Sequence, residues 1–307
     1  SDIYRIDEGV VTIAGRGANL GIAHARDHKF YPIVRLLVLK PKQPSNIYFY
    51  EYQINNLNLF KESTGVPQLT VPQVSGYELS FPSLPEQTKI ASFLTCVDDK
   101  LQTLKKKKAL LEQYKKGVMQ KIFSQELRFK DDKGNDFPEW EEKTLGECLH
   151  YLQPTKYLVQ STEYEDDFKT PVLTAGKTFI LGYTNEEFGI YEEVLPVIIF
   201  DDFTTSTQFV DFPFKAKSSA MKILRANQGF EIKFLYESMQ IMNYEIGGHE
   251  RHWISKFSII SISVPSLREQ IKIASFLSSI DEKINQAQFQ IDKTENWKKG
   301  LLQKMFI

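Results

Sequence analysis

The stretch from Ser80 to Phe123, SFPSLPEQTKIASFLTCVDDKLQTLKKKKALLEQYKKGVMQKIF, occurs again from Ser263 to Phe306 as SVPSLREQIKIASFLSSIDEKINQAQFQIDKTENWKKGLLQKMF. Pro82 returns at Pro265, Glu86 at Glu269, Asp98 at Asp281, Gly117 at Gly300 and Phe123 at Phe306, always 183 residues later and without a gap. Two copies at so long a period mark an internal duplication, since solenoid units repeat every ~20–50 residues. The copies read as long helices. In the first the apolar row is Ile90, Leu94, Val97, Leu101, Leu104, Leu111, Val118 and Ile122. In the second it is Ile273, Leu277, Ile280, Ile284, Ala287, Ile291, Leu301 and Met305. Steps of four and three make a coiled-coil seam. Pro85 and Pro265 are expected just ahead of the helices, where proline does no harm.

Polar residues interrupt both seams: Lys108 and Lys115 in the first, Thr294 and Lys298 in the second. Lysine stems can snorkel from an ordinary amphipathic helix packed on its own domain. The better reading pairs the two helices with each other, the polar slots setting register and direction, because these are the chain's two matched long seams.

Working outward, the 307 residues suggest two or three domains. Composition is that of an ordinary globular protein with ample apolar and aromatic residues. No segment approaches the ~20 apolar residues of a membrane span. SDIYRIDEGVV lacks the regions of a secretory signal, and Cys96 and Cys148 form neither a disulfide framework nor a metal-ligand spacing. A reduced, cytoplasmic protein is expected. The net charge of −1 hides an uneven distribution. Residues 1–80 are nearly neutral, 81–134 basic, 135–262 acidic and 263–307 mildly basic. The basic footprint is confined to Lys105–Lys108 and the helix ends, so if the chain binds DNA, partners must supply much of the phosphate grip.

In the first globular region, Val10–Ala14 reads as a strand and Gly15-Arg16-Gly17-Ala18-Asn19-Leu20-Gly21 as a tight turn; its glycine spacing does not match a nucleotide-binding loop. Ile33–Leu39 reads as a strand and Phe49–Phe60 as helical. His24, Arg26, His28 and Lys29 form a cationic cluster without a partner for metal binding. The loops Ser63–Thr70 and Gly247–Trp253 stand at matching places ahead of the two repeated helices. Gln and Arg can make paired hydrogen bonds to base edges, and glycine lets backbone approach a ligand.

Ser124–Phe137 is a charged linker. The second region is expected to be α+β. Its strands are suggested by Val172–Leu173, Thr178–Tyr183, Val194–Phe200, Phe209–Phe212, Lys222–Leu224 and Ile259–Val264, with a helix over Phe230–Asn243. Asp201-Asp202 reads as a capped turn in preference to a metal site. Asp211-Phe212-Pro213-Phe214 lacks the first proline and the glycine-rich loop of an adenine methyltransferase, and no nucleophile sits on a recognisable elbow. No catalytic and no metal-ligating residue is assigned.

A globular region ending in P-S-L-x-E-Q-x-K-I-A-S-F-L, then a long helix finishing K-K-G-x-x-Q-K-x-F, the whole occurring twice, resembles the DNA-specificity subunit of type I restriction-modification systems. LRFKDDKGNDFPEWEEKTLGE is similar to the opening of a target-recognition domain in that family. The resemblance implies two α+β target-recognition domains separated by two long antiparallel helices, a pseudo-twofold repeat. The expected division is a first domain over 1–84, a helix over 85–123, a linker over 124–137, a second domain over 138–267 and a helix over 268–307. It further implies that each domain reads half of a split site on double-stranded DNA, with the helices as a ruler. Two methyltransferase subunits would carry S-adenosylmethionine, restriction subunits would use ATP, and this chain would hold no cofactor and have no active site. Only 81 residues precede Pro82, against 125 positions from Trp140 to Pro265, so the first domain is expected to lack a front part including a counterpart of EWEEKTLGE.

Under that resemblance the candidate DNA contacts are Arg16, Asn19, Arg26 and Gln68 in the first domain. In the second they are Lys177, Thr204, Thr205, Lys217, Ser218, His249, Arg251 and His252. Each is polar, lies in an expected loop and can donate to a base edge or phosphate. A non-DNA scaffold, two binding modules held apart by a coiled coil, is the competing class; salt-sensitive, methyltransferase-dependent binding to a split site would decide against it.

Overall fold

The structure, a computed structural model, describes all residues except 1–5, 34, 58, 60–66, 175–177, 243–252 and 307. It divides into two units, one of residues 1–110 with 284–307 and the other of residues 111–283, so each unit holds part of both repeated helices.

In the first unit, β1 (Val10–Ala14), β2 (Ala23–Arg26) and β3 (Leu36–Leu39) form an antiparallel sheet in the order β2-β1-β3. The glycine run is the turn between β1 and β2. A Cβ on Gly15 would lie 2.6 Å from the Arg35 carbonyl oxygen, so this close approach requires glycine. β3 starts three residues later than Ile33 because Arg35, at φ 76°, breaks the extended run. Helix α1 (Ile47–Asn56) begins before the expected Phe49, since the Asn46 side chain caps it by accepting from the Tyr48 and Phe49 amides. It ends at Leu57, which is extended. Phe49, Tyr50 and Ile54 of α1 pack with Val11, Ile13, Ala23 and Ala91 into one core. A short turn of helix, α2 (Val71–Ser75), precedes the first long helix, α3 (Leu84–Phe123). Pro85 therefore lies inside the first turn of α3, where its missing N–H would have had no intrahelical partner.

The second unit opens with β4 (Glu141–Thr144) and α4 (Leu145–Cys148), which carries a Thr144–Glu147 capping box. Next come β5 (Leu149–Leu152), β6 (Thr170–Leu173), β7 (Ile180–Thr184), β8 (Val197–Asp201), β9 (Thr207–Val210), β10 (Lys215–Ala216) and β11 (Met221–Ala226). Helix α5 (Ile232–Gln240), strand β12 (Ser261–Val264) and the second long helix α6 (Leu267–Met305) complete the chain. The sheets are β5-β11-β8-β9, β10-β6-β7 and β12-β4. The unbroken apolar run of β8 marks it as an inner strand, and Val197 to Phe200 are fully buried. β8 starts later than Val194 because Pro196 has no N–H for the ladder. Lys222 on β11 is buried too, ion-paired with Asp202 at 2.9 Å. Helix α5 starts at Ile232, two residues past the expected Phe230, because the Glu231 side chain caps it by accepting from the Phe234 amide.

α3 and α6 contain 40 and 39 residues, each ~60 Å long at ~1.5 Å per residue. They pack antiparallel. In the first unit Asp98 pairs with Lys298 at 2.5 Å and Lys105 with Glu295 at 2.6 Å, with Leu101, Leu104 and Ile291 buried between them. In the second, Lys115 reaches Asp281 at 2.7 Å. Of the three lysine interruptions, Lys115 and Lys298 are thus ion-paired across the helices, as the pairing reading requires. Thr294 is buried and donates its hydroxyl to the Gln290 carbonyl at 2.6 Å.

The same joint attaches each globular part to its long helix. Gln87 on α3 donates to the Pro82 carbonyl and accepts from the Asn46 amide at the head of α1, both at 2.9 Å. Gln270 on α6 donates to the Pro265 carbonyl at 2.9 Å and accepts from the Glu231 amide at the head of α5 at 2.8 Å. Phe49 of α1 then packs on Phe306, and Phe234 of α5 on Phe123, with ring centroids 5.3 and 5.5 Å apart.

Candidate DNA-recognition surfaces

In the second unit two loops meet. The β8–β9 loop carries Thr204 and Thr205; the β10–β11 loop carries Lys217 and Ser218. The Asp202 amide donates to the Ala220 carbonyl at 3.2 Å, and β8 and β11 pair with Met221 opposite Asp201, which holds the loops side by side. The Asp201 carboxylate accepts from the Phe203 and Thr204 amides at 2.8 and 3.3 Å, the capped turn expected of this acidic pair. Asp202 faces inward to Lys222 and accepts from the Trp253 amide at 3.0 Å. The turn is thereby fixed from three sides, which lets Thr205 stand at φ 59° and leaves Phe203 half exposed at the tip. Among the described residues no group of three or more His, Cys, Asp or Glu could hold a metal ion.

Lys217 is partly committed: its ammonium donates to the Tyr164 hydroxyl at 2.9 Å and lies 5.4 Å from that ring's centroid. Ser218 accepts from the Ala220 amide at 3.1 Å and is exposed. His249, Arg251 and His252 lie outside the described residues, as does Lys177; the chain re-enters at Trp253, anchored to the foot of the Thr204–Thr205 turn.

In the first unit the turn after β1 places Arg16 against Gln68. The guanidinium donates to the Gln68 side-chain oxygen at 2.6 Å, the two backbones form a bridge, and the Leu69 amide donates to the Gly15 carbonyl at 2.9 Å. Asn19 is exposed on the same turn. Arg26 is elsewhere: it pairs opposite Val10 at the far end of β1, donates to the Thr12 hydroxyl at 3.1 Å and lies over Phe30. It is held by internal contacts, and Arg16, Asn19 and Gln68 form the grouped set. Residues 63–66, half of the loop Ser63–Thr70, and all of its counterpart before Trp253 lie outside the described residues.

Two exposed residues beside these sets escaped the sequence reading. Arg35 adjoins Gly15, whose amide donates to the Arg35 carbonyl at 2.8 Å, and Phe203 tops the second-unit turn. Arg35 sits in what reads as a strand, so only its positive φ reveals it. For Phe203 the flanking DD and TT pairs were a usable turn signal. Cys148 is buried, and burial pushes its thiol up to about 11, so it stays protonated at neutral pH.

Comparison with known proteins places the chain in a family. The chain is 52% identical over 126 residues to the EcoR124I/EcoR124II specificity subunit of Escherichia coli, a match covering 39% of this chain and 31% of that protein. It is 22% identical over 324 residues to a putative type I restriction enzyme MjaX specificity subunit of Methanocaldococcus jannaschii, covering 97% of this chain and 72% of that one. The crystal structure of a type I restriction-modification S subunit from M. genitalium shares the fold, with a TM-score of 0.71 at 18% identity over 100% of this chain and 85% of the other. The family model described as the type I restriction modification DNA specificity domain matches residues 1–113 and 138–293. By that match, which takes in both globular parts and most of both long helices, the chain belongs to the type I restriction-modification DNA specificity family.

Proposed function

We propose that this chain is a DNA-specificity subunit that reads a split site on double-stranded DNA and directs adenine methylation and restriction by partner subunits. The observation that carries this reading is the double family match, one stretch in each half of the chain. In the second unit the reading surface is the pair of loops bearing Thr204, Thr205, Lys217 and Ser218, with His249, Arg251 and His252 in the segment leading to Trp253. In the first it is Arg16, Asn19 and Gln68. Hydroxyls, guanidinium and amides of this kind donate to base edges, while ammonium groups grip phosphate. The paired helices set the unread gap between the half-sites.

The chain itself is assigned no catalytic step and no cofactor. Two methyltransferase subunits would bring S-adenosylmethionine and restriction subunits would bring ATP-driven cleavage, in the cytoplasm. Among the described residues no helix is long and apolar enough to cross a membrane. The test is a map of methylated adenine in genomic DNA from cells making the methyltransferase subunit with and without this chain. A split motif that appears only with the chain is the expected result. No chain-dependent motif, despite a formed complex, would overturn the proposal.

A further inference from the structure

Phe200 and Phe203 stand three residues apart and face opposite surroundings. Phe200, in β8, is fully buried and packs against Trp253 and Phe257, with ring centroids 5.3 and 4.9 Å away. Phe203 is 49% exposed, and among the described residues its ring meets no other ring and no cation. Phe188, exposed elsewhere in the same unit, is engaged: the Lys215 ammonium lies 4.3 Å from its ring centroid. Phe203 is presented without a partner.

The backbone that presents it is held closely. The Asp201 amide donates to the Ser206 carbonyl and the Thr205 amide to the Asp201 carbonyl, both at 2.9 Å. The Thr204 hydroxyl donates to the Ser206 hydroxyl at 3.1 Å. With the Asp201 carboxylate on the Phe203 and Thr204 amides and Asp202 on Lys222 below, these bonds close the turn. They hold the β-branched Thr205 at φ 59°, a conformation such residues rarely adopt. The fold thus sustains both a strained backbone and a wetted aromatic ring, a combination that occurs at binding sites.

The neighbours decide the class of partner. The two abutting loops surround Phe203 with Thr204, Thr205, Lys217 and Ser218, so the apolar area is a single ring among polar groups. Protein docking calls for a contiguous apolar patch. A base edge in the major groove has the opposite make-up: thymine offers one apolar group, its 5-methyl, among hydrogen-bonding atoms, and phenylalanine is a side chain that contacts it.

We propose that Phe203 is a specificity-determining residue of the second unit, packing its ring on the 5-methyl group of a thymine in the half-site read there. Cytosine lacks that methyl, so the contact selects T·A over C·G at one position. The inference rests on the DNA-reading proposal and adds to it one residue and one base.

The test uses the full chain in complex with its methyltransferase subunit and duplexes bearing the mapped split motif. Each thymine of the motif, on either strand, is replaced in turn by deoxyuridine, which loses only the methyl group. One replacement, in one half-site, is expected to weaken binding about fourfold, the worth of one buried methyl group. Phe203→Ala should bind the thymine and deoxyuridine duplexes equally at that position, while Phe203→Leu, still apolar, keeps part of the difference. A merely structural ring would lower all affinities and leave that ratio alone. The inference fails if no single replacement weakens binding, or if Phe203→Ala keeps the unaltered ratio at every position. Equal weakening on every duplex would mark a ring wedged between base steps or one needed for folding. Failure of the DNA reading is told apart, because the unaltered complex would then show no preference for a split motif, and this inference would fall with it.

Discussion

At the middle of the helix pair the two units start from the same two residues and finish differently. Asp98 with Lys298 and Asp281 with Lys115 are counterparts under the repeat, and both are ion-paired. In the first unit the third participant is Tyr52 of α1, whose hydroxyl donates to Asp98 at 2.7 Å. In the second it is a pair from α5: the fully buried Glu237 receives Lys115 at 2.8 Å and Lys233 at 2.7 Å, and Lys233 also reaches Asp281 at 2.8 Å. Two ammonium groups and two carboxylates alternate there, so each charge is neutralised in place. Burial alone would raise the Asp281 carboxyl, but Lys115 and Lys233 outweigh it and hold the carboxyl below its ordinary value. Burial likewise works against the Lys233 ammonium, and Asp281 and Glu237 more than restore it. The duplicated helices thus dictate one ion pair, and the packed globular helix decides whether the contact ends in a neutral hydroxyl or a closed charge network.

The largest test of that difference is Glu237→Leu. It leaves two cations facing one carboxylate, and removing one member of a buried pair costs about 3–5 kcal/mol. Urea unfolding should show this loss in the second unit, with hydrogen exchange in α1 unchanged. Equal loss in both units would mean that the joint is not local. Phe49→Ala and Phe234→Ala probe what the units share, and each should cost about 3–5 kcal/mol as a buried aromatic is lost. A large disparity between the two would break the equivalence of the joints.

On the proposed reading surface, Thr204→Ala should cost about 1–3 kcal/mol at one half-site and nothing at the other. Binding to DNA with one half-site altered at a time measures this. Uniform loss across sequences would mark a backbone contact. At the small end, Tyr52→Phe removes the hydrogen bond to Asp98 and a longer contact of 3.4 Å to the Thr95 hydroxyl, and should cost about 0.5–1.5 kcal/mol, well below Glu237→Leu. Acid tests the second-unit network as well. Because the folded state depresses Asp281, its contribution is present above the ordinary value of 3.8 and disappears as pH falls through the folded value. Asp281→Asn should therefore flatten the loss of second-unit stability below about pH 4. An unchanged acid profile would remove Asp281 from the account.

What was legible in the sequence follows from these contacts. The seams of α3 and α6 were readable because burial at steps of three and four leaves Leu94, Val97, Leu277 and Ile280 in a regular row. Lys115 and Lys298 were visible as interruptions, yet their partners were not. Lys298 meets Asp98 from 200 residues away, and Lys115 meets Glu237 from 122, distances over which local pattern carries no signal. The starts of α1 and α5 were each misplaced by two residues because Asn46 and Glu231 cap from outside the apolar row. Arg26 looked available as a loop cation; it lies on β2, and Thr12 and Phe30 occupy it. The turn at Asp201–Ser206 was legible through its composition, whereas its abutment on Lys217–Ala220 depends on β8 pairing with β11.

The glutamine joint has a consequence for how such a chain can change. Gln87 and Gln270 each ask the globular part for one backbone amide at the head of a helix, and Phe306 and Phe123 each ask for a phenylalanine at that helix's third position, met by Phe49 and Phe234. Asn46 and Glu231 differ in kind, and so do the sheets behind them, yet both satisfy the same socket. The joint thus asks little of the globular part: a capped helix with phenylalanine third meets it, whatever sheet stands behind. A change confined to the sheet would leave the long helix that receives it undisturbed.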